Sequence, residues 1–156
     1  MRLYLIQHCE AKQKDIDPER PLSDKGRADL KKTCFFLKQA DVQIDKIIHS
    51  NKLRSIQTAE TIAKELSISQ ALETYHNINP KDSPADIIPK INQWDKDTLI
   101  VSHLPYLGKL VTHLLTGKDE PEMIAYQPGS VVCLEKNENG QWHINWIMRP
   151  ELLKES

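Results

Sequence analysis

Three sharply polar groups interrupt apolar text in this 156-residue chain, each at or just past a short hydrophobic run that reads as a strand. They are Gln7-His8-Cys9-Glu10, His49-Ser50 leading to Arg54, and Ser102-His103. In open α/β sheets ligands bind outside the carboxyl ends of the strands, so residues distant in sequence can converge there. His8, Arg54 and His103 are therefore candidates for one site. Arginine offers permanent charge and fork-shaped donors for an anion. A neutral imidazole can attack through one nitrogen if its other N–H is fixed by a hydrogen bond.

The elements that must position these groups follow from periodicity. Strands are expected at Arg2 to Gln7, Lys46 to His49, Ala71 to Tyr75 and Thr98 to Ser102, with amphipathic stretches between them. A first helix starts after an N-cap at Ser23 and buries Leu30, Phe36 and Leu37 on one face. Further helices are expected over Leu53 to Leu66, between Pro84 and Trp94, and from Pro105 in the first turn to Gly117. Ser130 to Glu135 and Trp142 to Ile147, joined by Asn137-Glu138-Asn139-Gly140, read as a hairpin that adds antiparallel edge strands. The order strand, helix, strand, helix predicts an α/β fold with a mainly parallel sheet flanked by helices, as one domain over residues 1–156.

Leu5-Ile6-Gln7-His8-Cys9-Glu10-Ala11 resembles the Arg-His-Gly-Glu/Asp-Ala opening of SixA-like members of the histidine phosphatase superfamily. Pro21-Leu22-Ser23-Asp24-Lys25-Gly26 is similar to their Pro-Leu-Ser/Thr-x-x-Gly start of helix one. The run Ser50 to Ala59 resembles Ser-Pro-x-x-Arg-x-x-Gln-Thr-Ala, and Val101-Ser102-His103-Leu104-Pro105 resembles Val-Ser/Gly-His-x-Pro. Any one fragment matches by chance; four in the right order are specific. The resemblance implies a three-layer phosphoglycerate mutase-like sandwich and a cofactor-independent, metal-free phosphohistidine phosphatase. In it His8 becomes phosphorylated, while Arg54 and His103 hold the phosphoryl oxygens. Phosphoryl transfer depends mainly on positioning and on cationic donors, which suits these residue types.

Two residues depart from the pattern: Gln7 stands where arginine is usual and Cys9 where glycine is usual. Glutamine still donates two N–H bonds to a substrate oxygen, but a lost charge-assisted bond is worth about 1.5–3 kcal/mol, or roughly ten- to a hundredfold in rate. Gln7 is thus expected to weaken turnover unless Arg20 or a lysine replaces the charge. Cys9 is expected to reshape the pocket where a glycine backbone would approach phosphate. It is a poor candidate nucleophile, since the loop of a cysteine phosphatase ends in arginine six residues on and Asp15 stands there.

The other candidates read blandly. Cys34 and Cys133 fit small buried thiols, and His49, His113 and His143 fit packing or exposure. His76 follows the third strand, where packing outweighs a place in the pocket. Glu73, Asp82 and Asp86 lie where larger superfamily members keep an acid for alkoxide leaving groups, yet none stands in a motif. A P–N bond needs less help once its nitrogen is protonated. That favours phosphohistidine on a protein as substrate, with a small-molecule phosphomonoesterase or a phosphoprotein-binding module without turnover as the alternatives.

Composition agrees with a globular cytoplasmic monomer. Hydrophobic residues are 39% and charged residues 28%, and the net charge of -1 gives no global reason to bind nucleic acid or an anionic membrane. Three separated cysteines without a CxxC pair argue against a disulfide framework or a zinc site.

Overall fold

A computed structural model describes residues 1–154. Strand β1 (Arg2–Gln7) is followed by α1 (Asp24–Gln39), β2 (Lys46–His49), α2 (Leu53–Glu65), β3 (Leu72–Thr74), α3 (Ile88–Ile91), β4 (Thr98–Ser102), α4 (Tyr106–Thr116), β5 (Val131–Lys136) and β6 (Trp142–Met148). The six strands form one sheet in the order β3-β2-β4-β1-β5-β6. Pairs β2/β3, β2/β4 and β1/β4 are parallel, whereas β5 runs antiparallel to both β1 and β6.

Strand pleat sorts the core into two layers, because successive side chains point to opposite faces. Tyr4, Ile6, Ile47, Leu99 and Val101 pack with Leu30, Leu37 and Ile62 of α1 and α2. Leu3, Leu5, Ile48 and Ile100 pack instead with Ile91, Leu107 and Leu110 of α3 and α4. Helices on both faces of a mainly parallel sheet make the expected three-layer α/β sandwich. Among the described residues no helix is long and apolar enough to cross a membrane.

The helix ends follow local chemistry. Ser23 caps α1, its Oγ accepting from Gly26 N–H at 3.0 Å. Gly26 is required there, since a Cβ would collide with the carbonyl oxygen of Glu10. Helix α4 starts one residue later than expected, with Pro105 as its N-cap, and stops at Gly117 in the left-handed conformation (φ 80°).

Three expectations need correction. The third strand is shorter, because Ser69–Ala71 turns as a 3₁₀ segment and only Leu72–Thr74 pairs with β2. The helix expected between Pro84 and Trp94 is two pieces, a 3₁₀ turn at Pro84–Asp86 and the single turn α3. Pro89 sits in the first turn of α3, where a missing N–H is tolerated, but it has none to give the Ala85 carbonyl one turn back, so a new helix starts there instead of continuing the 3₁₀ turn. Finally, of the two hairpin strands only β6 lies at an edge: β5 lies inside the sheet against β1.

Candidate active site

The three sequence candidates meet beyond the carboxyl ends of β1, β2 and β4. The His8 and His103 rings lie with centroids 4.8 Å apart and planes at 56°. His8 follows β1 immediately, and its N–H is tied to the Ser102 carbonyl of β4 at 3.0 Å. Its Nδ1 lies 2.7 Å from the Cys9 carbonyl, which can only accept, so Nδ1 carries the proton and the Nε2 lone pair is free. Burial holds the His8 pKa down to about 4, with the charges of Arg54 and Arg20 adding to the effect and the Cys9 carbonyl opposing it. The ring is neutral at neutral pH. Its free lone pair is available to an electrophile.

His103 is almost wholly buried, with Nε2 2.6 Å from Ser50 Oγ and Nδ1 without a partner. Burial first, then the nearby His8, Arg54, Lys52 and Arg20, hold its pKa down to about 2. Arg54 sits in the first turn of α2, half-buried, with an unpartnered Nε and a pKa lowered by burial and by Arg20. Among the described residues Arg54 takes part in no ion pair. Helix α2 has no side-chain N-cap, so its first-turn N–H groups add to the positive end of the site. Gln7, next to His8 in the chain, is half-buried with its acceptor Oε1 buried and unpartnered; only its Nε2–H groups could donate to an anion.

A set of hydroxyl and amide groups that the sequence reading quoted but gave no role holds this arrangement. Ser55 Oγ donates to the Val101 carbonyl at 2.9 Å and accepts from Ser50 N–H at 3.1 Å, pinning α2 to β4 just before His103. Thr58 Oγ1 donates to the Arg54 carbonyl at 2.9 Å and accepts from Cys9 N–H at 3.1 Å. Gln57 Oε1 accepts from Leu22 N–H at 2.8 Å. Ser50, Ser55, Gln57 and Thr58 are thus positioning residues, and their only signal in the sequence is membership of the same short block as Arg54.

Cys9 does not reshape the pocket. Its side chain is fully buried in the core layer of α1 and α2, and burial pushes its thiol far above the usual range. Room for it comes from Gly129, whose φ of 84° favours glycine and where a Cβ would stand 3.3 Å from Cys9 Sγ. Cys34 and Cys133 are buried thiols as expected, pushed up to about 12 and about 11.

The remaining histidines stay out of the cluster. His49 is buried with Nδ1 on the Ser50 carbonyl, His76 is exposed, His113 pairs with Asp119 at 2.7 Å, and His143 is exposed beside Asn137. Among the acids, Glu73 pairs with Lys46 at 2.7 Å, and Asp82 accepts from Asn79 N–H at 2.8 Å. Asp82 and Asp86 act with burial to raise the pKa of Tyr106, whose hydroxyl is unpartnered. Among the described residues no cluster of three His, Cys, Asp or Glu side chains could hold a metal ion.

Two close, neutral imidazoles and a guanidinium without a counter-ion among the described residues make a candidate anion pocket. Known proteins share the fold. Phosphohistidine phosphatase SixA of Escherichia coli (strain K12) is 26% identical over 159 residues, covering 99% of this chain and 97% of that protein. A SixA structure complexed with tungstate superposes with a TM-score of 0.87 at 24% identity, over 99% of this chain and 100% of that one. A phosphoserine phosphatase of Entamoeba histolytica in complex with phosphoserine has the same fold, with a TM-score of 0.74 at 13% identity, over 96% and 98% of the two chains. Residues 3–77, which include His8 and Arg54, match the model of the histidine phosphatase superfamily (branch 1). The chain is similar to that superfamily in these residues and in its fold.

Proposed function

We propose that this protein removes phosphate from phosphohistidine carried on another protein, through a covalent phosphohistidine on His8. The observation that carries the reading is the state of His8: neutral, oriented by Nδ1 on the Cys9 carbonyl, and facing cationic and amide donors. In the first step the Nε2 lone pair attacks phosphorus, the P–N bond to the substrate breaks with its electron pair going to the substrate nitrogen, and the imidazole departs neutral with its proton on the other ring nitrogen. Arg54, the Gln7 amide and His103 hold the three equatorial oxygens, where charge is to be stabilised as the group transfers. Water then attacks the phosphorus on His8 and releases orthophosphate, returning the imidazole to its starting form.

These steps use side chains and water alone. A protonated imidazole leaves without a strong acid, which agrees with Glu73 and Asp82 being engaged elsewhere. The similarity to SixA over nearly the whole chain supports a protein substrate.

Turnover of a phosphohistidine-bearing protein, compared with nitrophenyl phosphate and sugar phosphates, tests the reading. The phosphohistidine protein should be preferred by at least about tenfold in kcat/KM, a margin of about 1.4 kcal/mol in the barrier. Preference for a sugar phosphate would make the protein a small-molecule phosphatase. Phosphate binding without any hydrolysis would make it a binding module.

A further inference from the structure

Gln7 leaves the strand beside the nucleophile without a positive charge, yet a second arginine stands close by on another segment. Residues 12–21 leave the site after Ala11 and return to it: Lys12 N–H donates to the Pro21 carbonyl at 2.8 Å, and Ala11 and Leu22 form an isolated antiparallel bridge. Leu22 N–H is fixed by Gln57, one turn along α2 from Arg54. The loop therefore closes between His8 and the first turns of α2. Arg20 occupies its closing end, two residues before Leu22.

The loop holds Arg20 in an uncommon way. Its φ of 51° lies in the left-handed region that residues other than glycine seldom adopt. Arg20 N–H donates to the Asp17 carbonyl and Arg20 Nε–H to the Lys12 carbonyl, each at 3.0 Å. The Nε anchor fixes the root of the guanidinium and leaves its Nη groups free for a ligand. Among the described residues no carboxylate forms an ion pair with Arg20. Its charge reaches the whole site, being one of the causes that lower the pKa values of His8, Arg54 and His103. Like charges gathered without a counter-ion repel in the empty site, and a divalent anion among them turns each repulsion into an attraction.

We propose that Arg20 is a phosphoryl-binding residue, supplying from the loop the guanidinium that Gln7 does not supply from β1. The proposal deepens the phosphatase reading and rests on it for the identity of the bound group. A loop guanidinium would give the pocket a second cation beside a nucleophile that is flanked by glutamine.

Orthophosphate affinity, measured by calorimetry on the whole chain, tests this without requiring turnover. Arg20→Gln should weaken binding about ten- to a hundredfold, the worth of a charge-assisted contact. Adding Gln7→Arg to that variant should recover most of the loss, because the charge returns to the same pocket. Arg20→Lys keeps the charge but loses the Nε anchor, and should stay within about fivefold of wild type for a mainly electrostatic contact. Should Arg20→Gln fold poorly, Arg20→Gly, which suits the φ of 51°, takes its place alone and combined with Gln7→Arg. Unchanged affinity in Arg20→Gln overturns the proposal. So does equal loss in Arg20→Gln and Arg20→Lys without rescue by Gln7→Arg, which would make Arg20 a loop anchor only. If wild type binds orthophosphate through Arg20 yet leaves phosphohistidine intact, the substrate reading fails and the role of Arg20 stands.

Discussion

The two ends of the sheet treat polar atoms in opposite ways. Beyond the carboxyl ends of β1, β2, β3 and β4, and past the parallel-running end of β6, Gln7 Oε1, Arg54 Nε, Asn79 Oδ1, His103 Nδ1, Tyr106 OH and Arg149 Nε are all buried without a partner. At the other end the polar groups are engaged. Arg2 N–H donates to Asp97 Oδ1 at 2.7 Å, Asp97 N–H to Asp45 Oδ2 at 3.2 Å, and Trp142 Nε1–H to Asn92 Oδ1 at 3.3 Å. In the β5–β6 turn Asn137 Oδ1 accepts from the N–H groups of Asn139 and Gln141, both at 2.9 Å. A buried polar atom left unpaired costs about 1–3 kcal/mol, and three of these six among the described residues, on Gln7, Arg54 and His103, belong to the candidate site, where a ligand can offset that cost. One end is built for stability and the other for binding.

The comparison is tested most severely at His8. On the proposed mechanism His8→Ala removes the attacking nitrogen, and turnover of phosphohistidine protein should fall by at least about a thousandfold. The thermal midpoint should hold or rise, because a buried imidazole is exchanged for a smaller apolar group at an end already under polar strain. No phosphorylated enzyme should be trapped in the variant. Residual turnover near wild type would show that another group attacks.

His8 was legible in the sequence because a buried strand that ends on a polar cluster marks its own carboxyl end. The same holds for His49-Ser50 and Ser102-His103. What the sequence could not show depends on partners far away along the chain. Ser50 meets His103 and Gln57 meets Leu22 only after the strands are ordered, and the order places β4 between β1 and β2. The same nonlocal ordering put β5 inside the sheet when the hairpin read as two edge strands. Cys9 was misread for a different reason: past the end of β1 the pleat no longer says which way a side chain points, and the space that takes it belongs to Gly129. In the stretch from Pro84 to Trp94, a short apolar run suggested one helix, and Pro89 divided it.

Acid separates the two ends next. The His8 pKa is lowered from 6.5 to about 4 in the fold, and that of His103 to about 2. The unfolded chain therefore binds protons first, so the stability from the neutral rings is complete above about pH 6.5 and is lost as pH falls toward 4 and then lower. The charges facing His8 are Arg54 and Arg20, and those facing His103 also include Lys52 and His8, so no carboxylate offsets the loss. His8 alone contributes about 3 kcal/mol to this slope. Denaturant titrations at pH 7 and pH 4 should show a smaller drop in His8→Asn than in wild type, by an amount of that order. Equal drops would mean that His8 is not held neutral by the fold.

The smallest effect belongs to the paired end, and it guards the comparison against a trivial explanation. Arg2 and Glu135 sit 3.4 Å apart with side chains 45% and 48% exposed, joining β1 to β5 at the end away from the site. An ion pair that open to solvent is worth no more than about 1 kcal/mol and weakens with salt. Arg2 and Gln7 are also about 17 Å apart along β1, roughly two Debye lengths at physiological salt, so the charge at position 135 is screened from the phosphoryl pocket. Glu135→Ala should lower stability by at most about 1 kcal/mol, less in high salt, and leave kcat/KM and orthophosphate affinity within about twofold of wild type. A change in turnover of fivefold or more, with stability intact, would show that β1 carries strain from one end of the sheet to the other. The unpaired atoms at the site would then have to be understood as part of a whole-strand adjustment, and the division into a stabilising end and a binding end would fail.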